Sequence, residues 1–203
     1  MVRHIIRGVL LVLVAVTLAA AATTQKAQQA KTSPGPARLV QALAGELKKV
    51  DQVGKTIVVK TATGTEEVLK FTEQTTVRGL KEGAKVSELA GKEGTHVVVH
   101  YSEEGTEKVA RAINHVGKET LKVTEGTVAR FDRAGRTLVV KTAGGVEETF
   151  RLADRVTIES GKRIVRFADA SFREGERVTV HYTEEAGHKI AHLLKHTRRE
   201  TTD

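Results

Sequence analysis

From Gly45 the sequence can be laid on itself from Gly126 without a gap, and about 25 of about 71 aligned positions are identical. A repeat of that length leaves two units of about eighty residues, each of which must bury its own apolar face. Within each copy the apolar residues fall two apart around short turns, which is the period of a half-buried strand. GELKKVDQVGKTIVVKTATGTEEVLKFT in the first copy answers GTVARFDRAGRTLVVKTAGGVEETFRLA in the second. Gly54 and Gly135 are expected to supply the permissive backbone of the first turn, and Gly64 and Gly145 that of the next hairpin. Three strands are thereby placed.

A less regular stretch follows, with short strands at Thr76-Val77 and Thr157-Ile158 and then a loop holding a short helix. Val86 and Leu89, or Val165 and Phe167, can pin that segment to a barrel end. THVVVHYS with EKVARAINHV, and ERVTVHYT with HKIAHLLKHT, then supply strands four and five. The expected fold is all-β: two tandem five-stranded small β-barrels of OB-like order, each with a short helix or loop between strands three and four.

The paired phrases KTIVVKTATGTEE and VVVHYSEEGTEKVA resemble a family of bacterial exported OB-like domains of unknown function, often carried in tandem behind a signal peptide. The resemblance covers about Gly45 to His196 and implies fold and compartment. It implies no catalytic residue.

The N-terminus supports export independently. Arg3 and Arg7 precede about fourteen apolar residues closing in alanines, the layout of a secretory signal peptide with cleavage after Ala22. The run is too short for an ordinary membrane span, so no span is expected after cleavage. The expected organisation is a signal peptide at 1–22, a flexible leader at 23–37, a first barrel at 38–116 and a second at 117–203 ending in a short polar tail. The location follows as periplasmic or extracellular. There is no cysteine, which removes disulfides, thiolate metal sites and cysteine catalysis.

The formal charge of +8 falls to about +6 without Arg3 and Arg7, and the cations are mixed with acids throughout. That is the pattern of a solvated surface rather than a polyanion track. Nucleic acid is the alternative raised by the arginines of the second copy, at 130, 133, 136, 151, 155, 163, 166, 173 and 177. Single-strand binding needs aromatic platforms, and aromatics make up only 3% of the chain, most at core-facing positions.

HYSEEGTEKVA at His100 and HYTEEAGHKIA at His181 repeat 81 positions apart. Alternation puts Tyr101 and Tyr182 on the apolar face and both histidines on the opposite one, as cross-strand surface residues beside Val109 or Ile190. With a four-residue turn, His181 lies opposite Ile190 and shares a face with His188 and His192, and His196 can continue the row. Imidazoles so grouped suit Zn²⁺ or Cu²⁺, although positions four apart on a strand are about 13 Å apart.

The pairs Glu66-Glu67 and Glu147-Glu148 alternate sides and cannot flank one bond together. No nucleophile or phosphate-loop motif is present. The expected function is therefore a non-enzymatic binding module for an envelope protein or small ligand, with metal-ion and polyanion binding as alternatives. By analogy with OB-type barrels, its contact residues are Lys60, Thr61, Lys70 and Arg78, with Lys141, Thr142, Arg151 and Arg155 in the second copy.

Overall fold

A computed structural model of the chain describes residues 39–196. The signal peptide, the leader and the polar tail all lie outside the described residues. The first copy contributes β1 (Val40–Asp51), β2 (Thr56–Thr61), β3 (Glu66–Lys70), β4 (Thr76–Arg78), β5 (His96–Glu104) and β6 (Glu107–Gly117). The second contributes β7 (Lys122–Asp132), β8 (Thr137–Thr142), β9 (Glu147–Ser160), β10 (Arg163–Val165), β11 (Arg177–Glu185) and β12 (His188–His196).

Each copy closes on itself. β1 pairs antiparallel with β2 and β5, β2 with β3, and β5 with β6, while β3 meets β6 in parallel at Lys70 and Val109. The second copy repeats the circuit through β7, β8, β9, β12 and β11, again with one parallel contact, between β9 and β12. Closure removes the free sheet edges that would otherwise template aggregation.

Burial alternates along the strands. Leu43, Leu47, Ile57, Val59, Leu69, Val97, Val99 and Ile113 fill the first barrel. Val128, Leu138, Val140, Phe150, Ile158, Val180 and Leu194 fill the second. The less regular segment supplies only a 3₁₀ turn in each copy, Val86–Leu89 and Phe167–Asp169. Val86 and Leu89 are core residues, and Val165 and Phe167 pack against the second core. Thr157 and Ile158 do not form a separate short strand. They belong to the continuous fourteen-residue β9, whereas the first copy breaks between β3 and β4.

The glycines act differently from expectation in the first turn. The positive φ falls one residue later, at Lys55 (52°) and Arg136 (49°). Gly54 and Gly135 instead donate their N–H groups to the carboxylates of Asp51 and Asp132, at 2.8 and 2.9 Å. At Gly135 a Cβ would stand 2.5 Å from that carboxylate. Gly45 and Gly126 sit where β1 and β7 approach the next strand closely, and a Cβ there would lie 2.2 and 2.4 Å from the carbonyls of Lys60 and Lys141. Only glycine permits so close an approach.

The barrels dock through unlike faces. Ala42, Ala44 and Val98, on the outside of the first barrel, pack with Leu121 of the linker and Leu193 of β12, and Val116 and Ile164 close the cluster. Around it the contact is polar. The Ala42 N–H donates to Glu159 Oε2 at 2.5 Å, and Glu159 also pairs with Lys195 at 3.4 Å. Thr157 Oγ1 bonds the His100 ring at 2.7 Å and accepts from Asn114 Nδ2 at 3.3 Å. The start of β1 pairs with β5 alone, so Glu159 satisfies a strand N–H that the sheet leaves open.

Candidate functional site

Each barrel has a hollow at the same place, and the two differ in what fills them. In the first, Gly45, Glu46, Lys60, Thr61, Ala62 and His96 surround about 120 Å³, and Leu121 forms part of the wall. In the second, the residues at the matching positions are Gly126, Thr127, Lys141, Thr142, Ala143 and Arg177, and the hollow opens to about 760 Å³. The bare backbone of Gly126, held close to β8, forms part of its lining. Glu125, Glu159, Thr179 and Lys195 extend it along the outer face of β7, β11, β9 and β12. A volume of 760 Å³ lies in the range of small-ligand sites, and 120 Å³ does not.

The difference comes from the linker. Leu121, just before β7, is buried in the cluster with Ala42, Ala44 and Val98. Its side chain lines the first barrel's hollow rather than extending β7.

The eight expected contact residues are not brought together. Lys60 and Thr61 line the small hollow, and Thr61 Oγ1 is bonded to Thr63 Oγ1 and the Thr65 carbonyl. Lys70 is paired with Glu107. Arg78 stands near enough to His100 to oppose its protonation. Lys141 and Thr142 line the open hollow, whereas Arg151 and Arg155 line a separate groove of about 570 Å³ shared with Asn114, His115 and His192. Arg177, Thr179, Lys195, Glu125 and Thr127 are the hollow residues that the sequence reading does not select. Comparing the copies at outward-facing positions would have found them, because Val98 becomes Thr179, Ala44 becomes Glu125 and Asn114 becomes Lys195.

The histidine row is rearranged by register. The β11–β12 turn has two residues, Ala186 and Gly187, both at positive φ, so Glu185 faces His188 and Thr183 faces Ile190. Two-residue turns of this kind match the twist of a hairpin. A bulge at His192 then sets His181 opposite Leu193, and the first copy bulges likewise at Arg111, setting His100 opposite Ala112.

His188 is exposed at the turn, and His192 Nε2 is bonded to Thr183 Oγ1 at 2.9 Å. The extra residue sends His196 to the other face, where its ring lies 4.7 Å from that of Phe172. Among the described residues, no three His, Asp or Glu side chains converge to hold a metal ion. Nor are the repeated histidines plain surface residues. Burial pulls the pKa of His100 and of His181 down to about 4, helped by Arg78 and Lys195 respectively. Burial lowers His192 too, against an opposing pull from Glu185.

Several arginines of the second copy have structural partners. Arg133 donates to the Ala170 carbonyl and Arg136 to that of Ala153, and Arg136 stacks 4.5 Å from the Phe167 ring. Phe131 packs edge-on against both Phe167 and Phe172, which leaves these rings engaged with one another.

No family model matches the chain, and no curated protein matches it. Among solved structures, it is similar to silver-bound CusF, with 18% identity over 38% of this chain and 97% of that one and a TM-score of 0.30. Apo-CusF from Escherichia coli matches at 17% identity over 42% of this chain and 98% of that one, with a TM-score of 0.31. The CSD456 part of drosophila Unr matches at 12% identity over 80% of this chain and 64% of that one, with a TM-score of 0.28. The assignment of two OB-like barrels here follows from the strand circuit, and these likenesses say nothing about a ligand.

Proposed function

We propose that this chain is an exported, non-catalytic binding module in which the second barrel holds the ligand and the first acts as its docked platform. One observation carries this reading. The same hollow occurs in both copies, and it is covered by Leu121 in the first and open to about 760 Å³ in the second. Duplication leaves two equivalent surfaces, and divergence here has closed one and left the other free. The proposed contact residues are Lys141, Thr142, Thr127, Thr179 and Arg177.

The test is comparative capture in the producing cell, using tagged full-length protein with a photo-reactive residue at Ala143 on the rim. A Thr179→Trp variant fills the hollow, and Lys60→Glu perturbs the equivalent place in the first barrel. A partner or ligand retained by the parent and by Lys60→Glu, but lost from Thr179→Trp, is the expected result. An identical captured set from all three proteins would overturn the reading. N-terminal sequencing of the recovered protein checks export, with Thr23 expected as the first residue.

A further inference from the structure

We infer that the open hollow of the second barrel receives an acidic stretch of polypeptide, a conclusion that rests on the hollow being the ligand site. The molecule displays one occupant of this kind of hollow, and it is polypeptide. Past the end of β6 the chain bends at Lys118 and Glu119 and lays Leu121 against Ala42, Ala44 and Val98. A short backbone segment offering a single side chain therefore fits the outer surface of this barrel.

The second barrel keeps the shape and changes the chemistry. Val123, Glu125 and Thr179 stand where Ala42, Ala44 and Val98 seat the leucine, so two of the three apolar positions have become polar. At the rim, Arg177 replaces His96, whose ring burial keeps neutral, and Thr127 replaces the anion Glu46. Lys195 replaces Asn114 and is held by Glu159. Among the described residues, no carboxylate pairs with Lys141 or Arg177. Two unpaired cations flank a wall that carries the hydroxyls of Thr127 and Thr179. Carboxylates of a ligand answer the cations, and its main-chain groups answer the hydroxyls.

Glu125 decides between acidic ligands. Its carboxylate lies in the same hollow, also without a cationic partner among the described residues. A ligand with a charge on every unit, such as polyphosphate or nucleic acid, brings a phosphate against it and is repelled. A peptide places a backbone N–H there instead, because its acidic side chains are separated by neutral main chain.

The experiment is fluorescence anisotropy with the full chain and a labelled octapeptide alternating Glu and Thr. A Lys/Thr octapeptide, polyphosphate and a (dT)₁₂ oligonucleotide serve as comparison probes. Saturable binding of the Glu/Thr peptide is expected, weakened at least tenfold by Lys141→Glu combined with Arg177→Glu and by added salt, and unchanged by Lys60→Glu. Both reversed residues are exposed, and an unchanged far-UV spectrum verifies that the variant is folded. An affinity indifferent to the double reversal would overturn the inference, as would (dT)₁₂ or polyphosphate binding as tightly as the peptide. Absent peptide binding while Thr179→Trp still abolishes capture in cells refutes the acidic-peptide assignment alone. Capture indifferent to Thr179→Trp removes the hollow as a site altogether.

Discussion

Acidification from pH 7 towards pH 4 is expected to destabilise the protein through two imidazoles that are hard to protonate in place. Burial lowers the pKa of His100 and of His181 from 6.5 to about 4, and neither has an acid among the groups that influence it, only Arg78 and Lys195. In the unfolded chain each ring takes up its proton as the pH falls through 6.5, while the folded protein resists until about pH 4. Between those values the unfolded state binds more protons, so stability falls with pH by about 1.4 kcal/mol per pH unit for each ring.

Across the window each ring accounts for about 3.5 kcal/mol, and the two together for about 7 kcal/mol, against a typical total of about 5–15 kcal/mol. His192 acts in the same direction. The carboxylates with lowered pKa, Asp51, Glu73, Glu88 and Glu184, all reach solvent and titrate below the upper part of this window. Urea unfolding at pH 7, 6 and 5 reads the effect, and NMR of the imidazole C–H signals assigns it. His100→Gln keeps a hydrogen-bonding group for Thr157 but cannot titrate, so it is expected to remove about half of the pH dependence. Ring signals titrating near pH 6.5, or a urea midpoint that does not move between pH 7 and 5, would refute the reasoning.

Other substitutions probe the contact between barrels and the close approach of β7 to β8. Leu121→Ala leaves a cavity among Ala42, Ala44, Val98 and Leu193 and is expected to cost about 2–4 kcal/mol by urea denaturation. Glu159→Ala strips the acceptor from a buried Ala42 N–H, for a loss of about 1–3 kcal/mol, with faster amide exchange at Ala42 as its specific sign. Gly126→Ala drives a Cβ to 2.4 Å from the Lys141 carbonyl, whereas Gly145→Ala, at φ 78°, meets open space. Thermal melts should therefore show the first losing more than about 2 kcal/mol and the second about 1 kcal/mol.

The sequence alone determined the repeat, the strands other than the continuous β9, and the faces they bury. Period-two alternation is a local property, so Tyr101 and Tyr182 could be assigned to the core and the histidines to the opposite side without coordinates.

Tertiary structure decided the rest, because register and docking depend on residues far apart in the chain. A turn of two residues rather than four and one extra residue at His192 together moved the partner of His181 from Ile190 to Leu193, the extra residue turned His196 inward, and nothing local in HKIAHLLKH announces that bulge. Docking of unlike faces carried His100 from an expected solvent-facing site to a contact with Thr157, fifty-seven residues away. It also seated Leu121 over one hollow and left the other open. The two copies are similar as sequences, but the linker that follows the first lays Leu121 back onto its own barrel.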